Sequence, residues 1–182
     1  GVANNLVSID TWKDFCRLFE LVDVDLTEKH VTLAFVWSRT RVVNEQSELG
    51  RIKVTHLAFE DFLEALCRCS VCKAWPTCEE VAAGGSGSTG AHLINMRRDT
   101  PEAYSELQQN RAVAWGGEPL QPIEACVEHL CSLLVVSCRQ LGKGGGKTSI
   151  VAATSGASLD AGRTPSLTEK EVAAFMKLQT SK

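Results

Sequence analysis

The sequence predicts an all-α protein, because apolar residues recur at helical spacing in four segments and none of the chain shows the clear alternation of a half-buried strand. The first segment carries an apolar stripe at i, i+3, i+4 and i+7, formed by Trp12, Phe15, Cys16 and Phe19. Thr11 and Asp14 have the spacing of a capping box and predict that this helix starts near residue 11.

Two further helices are predicted from about Thr27 to Ser38 and from about Ala58 to Ser70. The former is apolar on two sides, which is typical of a helix enclosed by neighbours, and Asp25 and Glu28 are its expected caps. In the latter, periodicity predicts four inward residues, namely Phe59, Phe62, Leu63 and Leu66. The residues expected in solvent are Glu60, Asp61, Glu64 and Arg68.

The remaining chain alternates helical and linker composition. A fourth amphipathic helix follows Pro122, and the glycine and serine at 84–90 and at 142–165 indicate flexible linkers. Thr100-Pro101 predicts another helix start, with a polar and therefore exposed continuation, and a short helix is expected at 168–178. We therefore divide the chain into a helical domain (1–75), a linker with short helices (76–118), an amphipathic helix (119–141) and a flexible tail (142–182).

The helical domain resembles a degenerate EF-hand pair, similar to the core of the tubulin polymerization-promoting protein family and to related axonemal EF-hand-like proteins. The residues that carry the resemblance are the Trp12…Phe15-Cys16 helix, the Leu26-Thr27 turn, the helix with Phe35, and Leu57-x-Phe59-x-x-Phe62. On this alignment Gly1 falls inside the first hand, which is incomplete. The resemblance implies a helical protein of the microtubule cytoskeleton.

Neither the acidic turn that begins at Asp23 nor the loop that begins at Gly50 supplies a calcium site. If Leu57 takes the eighth loop position, the first, third and fifth positions are Gly50, Ile52 and Val54, which offer no side-chain oxygen. Cys67, Cys69, Cys72 and Cys78 suggest zinc, but their spacing lacks two separate Cys-x-x-Cys pairs. We expect reduced thiols and no metal or other cofactor, with zinc binding as the alternative.

Composition and motifs exclude several classes of function. The net charge of −3 gives no general attraction to nucleic acid. The longest purely apolar run, Leu133 to Val136, is far too short to cross a membrane, so we expect a soluble, cytoplasmic protein. The glycines at 142–146 lack the spacing of a phosphate-binding loop, and no nucleophile has a histidine and a carboxylate at a recognisable spacing. We therefore expect no enzymatic activity.

The sequence thus predicts a non-catalytic structural or adaptor protein of the cytoskeleton, located in a ciliary or flagellar axoneme. Its expected partners are proteins, including tubulin or other axonemal components of a larger assembly. The candidate partner-binding residues are Arg39, Arg41, Arg51, Lys53, Phe62, Leu66 and Trp75. Trp75 is also interpreted as a lid over the core. The alternative function is a regulatory calcium- or zinc-binding module of a larger signalling protein.

Overall fold

The computed structural model describes residues 6–39, 51–52 and 55–143. Two short strands, β1 (Val7–Ser8) and β2 (His56–Leu57), accompany a set of helices. The helices are α1 (Ile9–Leu18), α2 (Glu28–Ser38), α3 (Phe59–Cys72), α4 (Cys78–Ala83), α5 (Thr89–Asp99), α6 (Pro101–Arg111) and α7 (Ile123–Lys143). The predicted all-α class is confirmed. The helix expected at 168–178 and the tail from 144 onward lie outside the described residues.

The first core forms where α1, α2 and α3 meet. Trp12 is fully buried, and its indole Nε1 donates a hydrogen bond to the carbonyl of Val31 on α2 at 2.9 Å. Its ring meets Phe62 of α3 edge-on at 5.6 Å, and Phe15 meets Phe62 at 5.3 Å. Such edge-to-face pairs are favourable beyond the area they bury, so one aromatic cluster fixes how α1 and α3 pack.

The strands place the starts of α1 and α3 side by side. Val7 pairs with Leu57 and Ser8 with His56 in an antiparallel ladder, and each strand leads directly into its helix. Ser8 is the N-cap of α1 and accepts a hydrogen bond from the backbone of Thr11. The start predicted from Thr11 and Asp14 is therefore wrong by most of a turn, because the strand pairing positions Ser8 to cap earlier.

A buried ion pair holds the turn between α1 and α2. Asp25 and Lys73 are both almost fully buried, and Lys73 Nζ lies 3.2 Å from Asp25 Oδ2. The carboxylate also accepts hydrogen bonds from the backbone of Leu26 and Ala74 and from the side chain of Gln108. Asp25 was expected to cap α2, but Thr27 takes that position, with its hydroxyl accepting from the backbone of His30. Buried charges are tolerated when they are paired and fully hydrogen-bonded in this way.

The segment 76–118, predicted as a linker with short helices, carries α4, α5 and α6 and contacts the rest of the folded body. Arg97 on α5 reaches back to the carboxylates of Glu20 and Asp23 in the turn after α1, and also donates to the hydroxyl of Tyr104. On α6, which was expected to be exposed, Tyr104, Leu107 and Gln108 are buried. The described residues up to Arg139 accordingly belong to one compact unit.

The glycine-rich stretch 84–90 also has a defined structure, contrary to its prediction as a flexible linker. Ser88 caps α5 by accepting from the backbone of Ala91. Gly90 lies against α7, where a Cβ atom would come within 2.5 Å of the carbonyl oxygen of Ser132. Only glycine permits this approach, so α5 and α7 touch through their backbones at this point.

Candidate functional site

Three apolar side chains form a stripe along α3, which we call the α3 stripe: Phe59, Leu63 and Leu66. They lie at i, i+4 and i+7 and therefore share one face of the helix. Phe59 is 51% exposed and Leu63 45% exposed, while Leu66 is half-buried. Sequence periodicity predicted all three to point inward, and this is wrong for Phe59 and Leu63.

The α3 stripe stays open because α3 uses another face to join the core. Phe62, Ala65 and Cys69 are buried on that face, and Asp61, expected in solvent, is buried with them. The Asp61 carboxylate accepts a hydrogen bond from the backbone of Ala58, so it stabilises the start of α3. An aspartate at this position accepts a hydrogen bond from an N–H group that has no partner within the helix. Its negative charge also interacts favourably with the positive end of the helix dipole, and both effects offset the cost of burying it.

Acidic residues border the α3 stripe on its solvent side. Glu60 and Glu64 are exposed, and Glu64 forms an ion pair with Arg68 one turn later at 2.7 Å. Exposed pairs of this kind contribute little to stability. Their main consequence is a polar rim beside an apolar strip, which is the composition found around protein-binding surfaces.

A second exposed apolar group lies at the end of α2. Trp37 is 64% exposed and its neighbour Val36 43% exposed. Trp37 was not among the predicted partner-binding residues, because α2 is apolar on two sides and periodicity alone cannot show which side is covered. Helices α2 and α3 pack against each other, and each presents large apolar side chains to solvent.

The predicted partner-binding residues fall into four groups, of which Leu66 is the last. Arg51 is exposed and Arg39 half-buried, with the Arg39 guanidinium 5.7 Å from the ring centre of Phe35. Arg41 and Lys53 lie outside the described residues. The third group, Phe62 and Trp75, is buried, and both are core residues in the structure. Of the predicted apolar anchors, Leu66 alone retains solvent exposure among the described residues.

Trp75 is buried, as its interpretation as a lid over the core predicts. Its indole Nε1 donates to the carbonyl of Ser70 at 2.6 Å, and its own carbonyl accepts from Arg111 and Gln121. The ring covers the end of α3 and lies 5.8 Å from the ring of His129 on α7. Trp75 therefore contacts other residues of this chain and has almost no surface left for a partner.

The thiols do not gather into a metal centre in the part of the chain that the structure describes. Cys69 and Cys72 are buried, Cys67 is half-buried and Cys78 is exposed, and no group of three or more potential ligands is placed to hold an ion. Burial raises the pKa of Cys72 to about 11 and also raises the pKa of Cys16. At neutral pH both thiols are therefore protonated, the form that is a poor nucleophile and a poor ligand.

None of the helices among the described residues is both long enough and apolar enough to cross a membrane. Comparison of the chain with protein-family models, curated proteins and solved structures finds no significant match in any of the three.

Proposed function

We propose that this chain is a non-catalytic adaptor that holds partner proteins by helix packing, within the microtubule cytoskeleton of a ciliary or flagellar axoneme. The observation that carries the proposal is the α3 stripe, an apolar i, i+4, i+7 surface left in solvent beside a complete core. Apolar surfaces of this form are used to bind amphipathic helices.

Trp37 adds a second feature of a binding surface. Tryptophan is enriched among the residues that dominate binding energy, because it contributes a large rigid area at little entropic cost. An indole that is 64% exposed is more easily explained if a partner covers it than if it stays in water. The exposed carboxylate of Glu60, beside the Glu64–Arg68 pair, favours a partner segment with a basic residue beside its apolar anchors.

The cytoskeletal part of the proposal rests on the resemblance to EF-hand-like axonemal proteins. The antiparallel pair of Val7 and Leu57 supports it, because this pair sets the starts of α1 and α3 side by side. Two halves of an EF-hand pair are expected to have this relation if Val7 and Leu57 occupy equivalent loop positions.

A sedimentation assay with detergent-extracted axonemes tests the proposal. We expect the wild-type chain to sediment with the axonemes and Leu63→Glu to bind at least about fivefold more weakly, since loss of a contact residue costs more than about 1 kcal/mol. Val24→Glu is the matched control: Val24 is 72% exposed but lies in the turn before α2, so its substitution should leave binding unchanged.

Two outcomes would contradict the proposal. A wild-type chain that stays in the supernatant would remove the cytoskeletal assignment. Equal loss of binding in Leu63→Glu and Val24→Glu would show that added negative charge, rather than the α3 stripe, controls the interaction. Circular dichroism of both variants before the assay confirms that each is folded.

A further inference from the structure

The start of α5 docks on α7 at a buried histidine. The first two residues of α5 both contact α7. The hydroxyl of Thr89 lies 2.8 Å from His129 Nδ1, and the backbone N–H of Gly90 donates to Ser132 Oγ at 3.0 Å. His129 itself is only 5% exposed. The contact therefore places a titratable ring at a junction between two helices.

The hydrogen bonds assign one neutral form to His129. The side-chain amide nitrogen of Gln121 donates to the carbonyls of Trp75 and Pro76, so the amide oxygen faces His129 Nε2 at 3.2 Å and accepts a hydrogen bond from it. Nδ1 is then unprotonated and accepts from the hydroxyl of Thr89. Through this chain of bonds the ring connects α5, α7 and the segment after α3.

The environment of His129 opposes a positive charge more than it favours one. The site is desolvated, and the ring lies at the start of α5, where the helix dipole disfavours a cation. On α7 itself Glu128 favours protonation, and the Trp75 ring offers a weak attraction to a cation. Burial is the larger effect and lowers the pKa of His129 below its ordinary value of 6.5.

The other charged groups on the packed elements do not compensate. On α5, His92 lies one turn after Thr89, and its ring lies against Gly84 and supplies no negative charge. On the segment after α3, the Trp75 carbonyl is bound by Arg111, whose guanidinium is already paired with Glu80 at 2.6 Å. A proton on His129 therefore gains no new carboxylate partner from α5, α6 or the Trp75 segment.

We propose that His129 is an acid-sensitive latch that holds α5 and the Trp75–Pro76 segment on α7, and that proton uptake at Nδ1 releases them. The proton comes from solvent, and the Thr89 hydroxyl that donated to Nδ1 has to turn away or become the acceptor. The open form, in which the ring meets water, binds this proton more readily than the closed form.

The direction of the pH effect follows from linkage. Because the pKa is lower in the closed form, the latch contributes its full stability above about pH 6.5 and loses it as the pH falls through the closed-form value. Each pKa unit between the two forms makes the equilibrium constant for opening tenfold larger at low pH than at neutral pH.

Two measurements on the full chain test the latch together. An NMR titration of the histidine ring protons should place the pKa of His129 below 6.5. Hydrogen exchange of α5 and α7 at pH 7.5 and 5.5, corrected for intrinsic rates, should show opening constants that rise at the lower pH, by up to about tenfold for an open-form pKa of 6.5. A pKa at or above 6.5, or protection in α5 and α7 that does not change with pH, would overturn the proposal.

Two glutamine variants separate the latch from general acid effects. His129→Gln keeps an acceptor for Thr89 and a donor for Gln121 but cannot be protonated, so the extra opening at pH 5.5 should disappear. In His30→Gln, at the start of α2, the glutamine retains the acceptor that bonds the Thr27 backbone, and the pH response should match the wild type. A wild-type response in His129→Gln would also overturn the proposal, and the NMR titration decides the question if that variant does not fold.

Discussion

Two phenylalanines on neighbouring helices have opposite environments. Phe35 on α2 is 3% exposed, whereas Phe59 on α3 is 51% exposed. We expect Phe35→Ala to lower the free energy of unfolding by about 3–5 kcal/mol, because it removes a buried ring and leaves a cavity. Phe59→Ala should cost under about 1 kcal/mol. Urea titration of both variants measures the difference, and equal losses would mean that the burial described for α3 is wrong.

The buried ion pair allows a second prediction for single residues. Lys73→Met should destabilise the protein by about 3–5 kcal/mol, because the Asp25 carboxylate remains buried without its cation. The double variant Asp25→Asn/Lys73→Met should be more stable than Lys73→Met alone, since no charge is left in the interior. If the losses of unfolding free energy in Asp25→Asn and Lys73→Met, measured by urea titration, simply add in the double variant, the two residues are not coupled.

Sequence periodicity predicted which residues of α3 share a face but not which face is covered. Phe59 and Leu63 occur at spacings that suit a core, and their exposure depends on where α1 and α2 pack. Asp25 shows the same limit for polar residues. Its position before α2 indicates a cap, whereas its partners Lys73 and Gln108 lie 48 and 83 residues away and leave no local signal.

At the scale of elements, the helices that the sequence predicts most clearly are those with long apolar stripes. The observed bounds of α2 and α3 agree with the predicted ones to within two residues. Helices α4 and α5 lie in the segment predicted as a linker with short helices, but their positions were not predicted, because each is short or weakly amphipathic and gains its stability from packing. Glycine at position 90 also looked like linker glycine, since close backbone approach has no compositional mark.

The junction of α5 with α7 gives a prediction for elements. Gly90→Ala should destabilise the protein by about 1–3 kcal/mol, because the added methyl group would overlap the backbone of Ser132 and Leu133 and force the helices apart. Gly87→Ala is the matched control, since a Cβ there meets nothing within 4 Å. It should be neutral or slightly stabilising by up to about 1 kcal/mol. Thermal unfolding of the two variants provides the comparison, and a similar melting temperature for both would contradict the close contact.

For the whole molecule, the structure indicates that the folding unit extends well beyond the predicted domain at 1–75. A chain that ends at residue 75 lacks Gln108, which binds Asp25, and Arg97, which binds Glu20 and Asp23. We expect that fragment to show no cooperative unfolding transition, whereas a chain that ends at Lys143 should unfold with the midpoint of the full protein. Calorimetry of the two truncations tests this. A cooperative transition in the shorter one would show that residues 1–75 fold as an independent domain.

The hydrogen bond from Gln108 to Asp25 also has a consequence during synthesis. Its two residues are 83 positions apart, so a ribosome that adds about 5–20 residues per second needs roughly 4–17 s to supply the partner after Asp25 is made. Once residue 72 has been added, α1, α2 and α3 have all been translated, yet the acidic turn that joins the first two lacks its amide donor until Gln108 follows. The nascent chain thus exposes apolar helices before its body can close, and a holding chaperone would have its longest opportunity between residues 75 and 108.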